Sequence, residues 1–114
     1  MANKNKWVTP LVIIAVIVLA ILLMAKNPGP QTTEEIAKCI GKKSVVYERL
    51  GCHACENQQK LFGEFYEHIT SVDCFFEQTE CQEKNIEANP TWIINGEKYV
   101  GTQSIETLQK LTGC

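Results

Sequence analysis

The apolar residues of this chain are concentrated at one end. Leu11 to Ala25 is an unbroken apolar run, and Trp7 and Val8 extend it upstream. Between Trp7 and Ala25 only Thr9 and Pro10 interrupt the pattern. About 20 such residues are what a helix needs to cross a bilayer. Residues 1–26 therefore read as a membrane anchor, with a single transmembrane helix at about 7–25. Setting residues 1–26 aside from the 114 leaves 88 for everything else. That suffices for one small domain and is too short for a dinucleotide-binding enzyme, a (β/α)8 barrel or a two-domain catalyst.

The flanks of the run set its orientation. Trp7 suits the headgroup level, Lys26 closes the far end, and Pro10 is expected in the first helical turn, where its missing N–H costs little. Lys4, Lys6 and the α-amino group outweigh Lys26. The N-terminus is thus expected inside the cytoplasmic membrane and the rest of the chain outside, on the periplasmic or extracellular side. A cleaved signal peptide is the alternative. The run is long for one, and Leu23-Met24-Ala25 is a poor small-x-small cleavage site. Residues 27–33 read as a short stiff linker and 34–114 as the exported domain. Lys4, Lys6 and Lys26 are the only charges before residue 27, so the remainder carries 8 basic against 13 acidic residues. A balance of −5 with no basic patch argues against nucleic acid as a partner.

Residues 34–114 alternate between strand and helix signals. A short helix capped at Thr32 or Thr33 presents Ile36, Ala37 and Ile40 and is expected to stop at Gly41. Ser44 to Tyr47 is a β-branched run and reads as a buried strand. From Cys55 to His68, Leu61, Phe62, Phe65 and Tyr66 recur at helical spacing, with Ile69 continuing that period just beyond. Val72 to Phe76 is a second strand, and Glu77 to Ile86 has room for a short helix. Thr91–Ile94 and Lys98–Val100 flank Asn95-Gly96, a strong hairpin signal. Ser104 and Glu106 open a last helix that Gly113 ends. The order is β-α-β-α-β-β-α after a leading helix, a thioredoxin-like α/β arrangement.

Six cysteines in the exported part call for an oxidising compartment or a metal. Cys52 and Cys55 form a C-x-x-C between a strand and a helix start. There the free N–H groups and the macrodipole favour a thiolate at the first position, and the second cysteine, a turn on, can resolve a mixed disulfide. As imidazolium, His53 would further stabilise that thiolate; the alternative is that it only faces solvent. Zinc would need two more ligands. Cys74 and Cys81 could serve, though their spacing does not suit a knuckle, so no metal is expected. Cys74 and Cys81 could instead close a small structural loop, or form a second redox pair. A Cys39–Cys114 bridge is geometrically possible, one of 15 pairings that six cysteines allow. Inert staples throughout remain a further reading.

Several segments resemble one family. They are Ala37-Lys38-Cys39-Ile40, Val46-Tyr47, Cys52-His53-Ala54-Cys55, Gln59-Lys60-Leu61-Phe62-Gly63, Cys74, Cys81, Pro90-Thr91-Trp92, Asn95-Gly96 and the stretch from Gly101 to Leu108. The chain from about residue 36 to 114 is similar to the thioredoxin-like redox partner of bacterial and archaeal vitamin K epoxide reductase homologues. The resemblance implies a dithiol oxidase in which Cys52 attacks and Cys55 resolves. A membrane partner of the vitamin K epoxide reductase type would reoxidise both and pass electrons to quinone, with no cofactor bound by this chain. It also implies a cis-proline at Pro90 facing the disulfide, with Asn89 and Thr91 beside it to receive a substrate strand. Where the family usually has proline then histidine between its cysteines, this chain has His53-Ala54, a departure that bears on the potential.

The expectation is a membrane-anchored thiol–disulfide oxidoreductase acting on exported cysteine-containing proteins. A reductase or isomerase, or a disulfide-stapled metal-binding or interaction module, are the alternatives. Glu48 and Glu56 are near enough in sequence to take up the Cys55 proton, although both also suit a solvated surface.

Overall fold

The computed structural model describes residues 4–26 and 29–114. Asn27 and Pro28, where the linker was expected to begin, and the α-amino group lie outside the described residues. The first helix, α1 (Lys4–Lys26), exposes its apolar side chains from Trp7 to Met24. By length and composition it suits a membrane span or a signal sequence. Pro10 is not in its first turn but inside the helix, because the helix already begins by Lys4.

The remaining elements are α2 (Glu34–Lys43), β1 (Ser44–Glu48), α3 (His53–Phe62), a 3-10 segment (Gly63–His68), β2 (Ser71–Asp73), α4 (Gln78–Glu83), β3 (Thr91–Ile94), β4 (Glu97–Val100) and α5 (Ile105–Thr112). They build one four-stranded sheet in the order β2-β1-β3-β4. β1 and β2 run parallel, joined by α3, while β3 is antiparallel to both β1 and β4. A βαβ unit joined to a ββα unit through a central antiparallel pair is the thioredoxin-like architecture.

Side-chain alternation divides the sheet between two cores. Val46, Trp92 and Ile94 face Ala37 and Ile40 of α2, Phe62 of α3, and Ile105 and Leu108 of α5. On the other face Tyr47, with Val45 and Ile93, packs on the Cys74 and Cys81 sulfurs and Ile86. Thr33 and Ser104 cap α2 and α5 through Ile36 N–H and Thr107 N–H, and Asn95-Gly96 makes the tight β3–β4 turn.

Three boundaries differ from the sequence reading. Gly41 does not end α2, which runs on to Lys43; it is buried, and a Cβ there would overlap the His68 carbonyl oxygen. The helix expected through His68 ends at Phe62, because Gly63 takes φ +57, and the chain tightens into the 3-10 segment. The second strand is over at Asp73 rather than Phe76. The Asp73 carboxylate accepts from the Phe75 N–H (2.8 Å) and turns the chain away from the ladder.

Candidate functional site

The site is built where β1 hands over to α3. Cys52 is the N-cap of α3, with φ −82 and ψ 113. Its Sγ accepts from the Cys55 N–H at 3.1 Å. A side-chain acceptor at this position satisfies one of the four helix N–H groups that have no intrahelical partner. Cys52 and Cys55 are joined in a disulfide, with Cα atoms 5.2 Å apart. The two sulfurs differ in access: Cys52 is half-buried, whereas Cys55 is 2% exposed.

Asn89 closes the other side. The Asn89–Pro90 bond is cis, and the Asn89 carbonyl oxygen lies 3.5 Å from Cys52 Sγ. The Asn89 side chain is fixed by donating to the Tyr47 carbonyl (3.0 Å) and approaches Cys74 Sγ at 3.6 Å. One asparagine therefore touches sulfurs of two disulfides. Thr91 is placed differently. It is 1% exposed and its hydroxyl donates to the Ala88 carbonyl at 2.6 Å, so its side chain serves the 88–91 turn.

A cleft of about 180 Å³ opens beside the disulfide, lined by Glu48, Leu50, Cys52, Cys55, Glu56 and Asp73 among others. Glu48 Oε2 accepts from the Tyr66 hydroxyl (2.6 Å) and from Gln59 Nε2 (2.9 Å). Burial, and then the hydrogen bond and charge of Glu48, hold the Tyr66 phenol well above its ordinary value, with Ser71 opposing weakly. Burial likewise pushes Tyr47 up, with Glu80 adding to it. His53 opens α3 with its ring in solvent, its Nδ1 3.7 Å from Glu56 Oε2.

Gln58, one turn beyond Cys55, is a residue the sequence reading missed. It is 1% exposed; its Oε1 accepts from the Trp92 indole N–H (3.0 Å) and the Gln103 N–H (2.7 Å), and its Nε2 donates to the Gln103 carbonyl (3.0 Å). The Thr102 hydroxyl reaches the Ala54 carbonyl (3.1 Å), and the Gly101 N–H reaches the Pro90 carbonyl (2.8 Å). Together these bonds fasten the 101–104 loop to the start of α3 and to Pro90. No periodicity in Glu56-Asn57-Gln58-Gln59-Lys60 marks one polar residue as buried.

The other four cysteines are also paired. Cys74 and Cys81 are bridged with Cα atoms 5.7 Å apart, and Cys39 and Cys114 with Cα atoms 6.0 Å apart. Cys74 and Cys81 line a second cleft of about 300 Å³ with Arg49, Glu87 and Asn89 among others. Their sulfurs are buried in the smaller core.

No protein-family model matches the chain. Among solved structures it is similar to the NTD_N/C domain of alkylhydroperoxide reductase AhpF from Enterococcus faecalis, at TM-score 0.46 and 18% identity over 73% of this chain and 45% of that one. A structure of the same reductase subunit gives TM-score 0.47 at 20% identity, with the same coverage. Oxidised thioredoxin from Plasmodium falciparum gives TM-score 0.42 and 19% identity, over 73% of this chain and 91% of that one. This chain thus spans less than half the length of the reductase chains it matches.

Proposed function

We propose that this protein is a membrane-anchored thiol–disulfide oxidoreductase that oxidises cysteines of exported proteins through the Cys52–Cys55 disulfide. The observation that carries the reading is the asymmetry of the pair. The more accessible sulfur caps a helix and lies against the Asn89 carbonyl, while its neighbour is buried one turn inside. A substrate thiolate attacks Cys52 Sγ and breaks the disulfide. Cys55 leaves as a thiolate and takes up a proton through the cleft it shares with Glu48. A second substrate thiolate then attacks the substrate sulfur of the mixed disulfide. Cys52 departs as a thiolate, stabilised by the N-terminus of α3, to which His53 would add if its ring carries a proton. The substrate has lost two electrons and gained a disulfide.

Reoxidation reverses the roles. Cys52 attacks a disulfide of a membrane oxidoreductase of the vitamin K epoxide reductase type, Cys55 resolves the mixed disulfide, and the electrons continue to quinone. The anchor α1 would hold the domain beside that partner at the outer face of the cytoplasmic membrane. Asn89 is the substrate-facing residue of this scheme, with Pro90 setting its position.

The test is made on the full chain in detergent micelles. The oxidised protein should convert a reduced dithiol peptide to its disulfide, and Cys52→Ser should abolish this. Cys55→Ser should accumulate a mixed disulfide at Cys52, in membranes with the quinone-linked partner. A midpoint potential near about −120 mV is expected, whereas one near about −270 mV would assign the protein to reduction instead. A native chain that oxidises the peptide no faster than background, with Cys52→Ser therefore changing nothing, would leave a disulfide-stapled binding module.

A further inference from the structure

Three large apolar side chains stand in water on the two loops that meet at Asp73 beside the disulfide cleft: Leu50 (62% exposed), Phe75 (47%) and Phe76 (68%). Single exposed apolar residues are ordinary, but a cluster at a reactive pole is not. One carboxylate oxygen holds this cluster together. Asp73 Oδ1 accepts from the Leu50 N–H (3.2 Å) and from the Phe75 N–H (2.8 Å), so the β1–α3 and β2–α4 loops meet there. The Phe75 and Phe76 rings stand edge to face, with centroids 5.0 Å apart. Leu50 and Asp73 line the same cleft as Cys52 and Cys55, so the carboxylate that ties the two loops together itself borders the reacting sulfurs.

Both the cleft and the segment that carries the two phenylalanines are acidic: Glu48, Glu56 and Asp73 line the cleft beside Leu50. From Asp73 to Glu87 the chain carries Asp73, Glu77, Glu80, Glu83 and Glu87 against Lys84 alone, and Glu77, Glu83 and Glu87 are exposed. Arg49, on the cleft wall, offsets one of these charges. An apolar centre with an acidic border favours an apolar ligand that also brings positive charge. A second copy of this chain would set one acidic border against another, and an anionic lipid surface would be repelled by the same carboxylates.

We propose that Leu50, Phe75 and Phe76 form a docking surface for polypeptide segments whose reacting cysteines are flanked by apolar and basic side chains. The proposal rests on the reading of Cys52–Cys55 as an exchanging disulfide and adds to it the class of substrate sequence. Docking brings the substrate thiolate to Cys52 Sγ, where the two-step exchange given above follows with the same balance of electrons and protons. An extended segment suits the arrangement, since the Asn89 carbonyl lies 3.5 Å from Cys52 Sγ and Leu50 lines the cleft beside the same disulfide.

The experiment measures oxidation by the full chain in detergent micelles, with three synthetic peptides that each contain two cysteines. One carries lysine, leucine and phenylalanine beside the cysteines, one has glutamate for lysine, and one has serine for leucine and phenylalanine. Dithiothreitol serves as the small dithiol. The basic apolar peptide should react about tenfold faster than either other peptide. Its lead over the glutamate peptide should shrink from about 0.05 to about 0.5 M salt. The double variant Phe75→Ser/Phe76→Ser should lose about tenfold on that peptide and keep its rate on dithiothreitol. Hydroxyl-radical labelling of Phe75 and Phe76 should fall when the peptide is added. Equal rates on all three peptides, with dithiothreitol still oxidised, would overturn the docking surface alone. Failure to oxidise dithiothreitol would overturn the exchange reading beneath it. Protection of the two rings by anionic vesicles, or by raising protein concentration without peptide, would give the patch to lipid or to a second copy and so overturn the proposal.

Discussion

Cys52 and Cys55 are three residues apart, yet the fold gives them different surroundings. The first caps a helix at a cleft and the second is buried beneath it. Two polar side chains frame the pair. Gln58 satisfies Trp92 and Gln103 together, and Glu48 gathers Tyr66 and Gln59. The Tyr66 contact makes a prediction about alkaline pH. Its folded-state value is raised above the ordinary 10.0, so its contribution to stability is complete below about pH 10. It is lost as pH rises further, because the unfolded chain ionises this phenol while the folded one resists. Tyr47 acts in the same direction. Denaturation midpoints should therefore fall above about pH 10, and less steeply in Tyr66→Phe. At neutral pH the same substitution removes a donor to Glu48 and should cost about 1–2 kcal/mol in urea unfolding. An unchanged alkaline limb in Tyr66→Phe would refute the assignment.

Helix and strand boundaries show what a local pattern contains and what it lacks. The strands were legible because β-branched runs and Asn95-Gly96 are local signals, and the C-x-x-C was legible because it falls between a strand and a helix start. Gly41 was misread because glycine near a helix end resembles a stop, whereas here it makes room for the His68 carbonyl. Only tertiary contact distinguishes the two. Gly41→Ala should accordingly destabilise the fold by about 3 kcal/mol, although alanine is the better helix former; a stabilised variant in a thermal melt would contradict the contact. Asp73 ended β2 early for a similar reason, its carboxylate competing with the ladder for backbone N–H groups. Gln58 was hidden differently. A polar residue in a polar stretch reads as solvated until a partner from another element covers it.

Over the full domain, the covalent links divide the labour. The Cys52–Cys55 disulfide closes a ring of a few residues and Cys74–Cys81 a loop only slightly larger, whereas Cys39–Cys114 spans 75 positions in sequence. Loop closure in the unfolded chain makes the largest ring the most stabilising, at about 4 kcal/mol. The double variant Cys39→Ser/Cys114→Ser should lose roughly that much in urea unfolding. Its rate of exchange with dithiothreitol should hold as long as it stays folded. A loss under about 1 kcal/mol would show that this bridge adds little beyond the packing of α2 on α5. The long ring has a practical side as well. A protease that severs any one peptide bond between residues 39 and 114 liberates nothing, since both pieces stay tied by sulfur. The cut molecule keeps the size of the whole until a reductant is added, so a single cut of this kind goes unseen on a gel run without one.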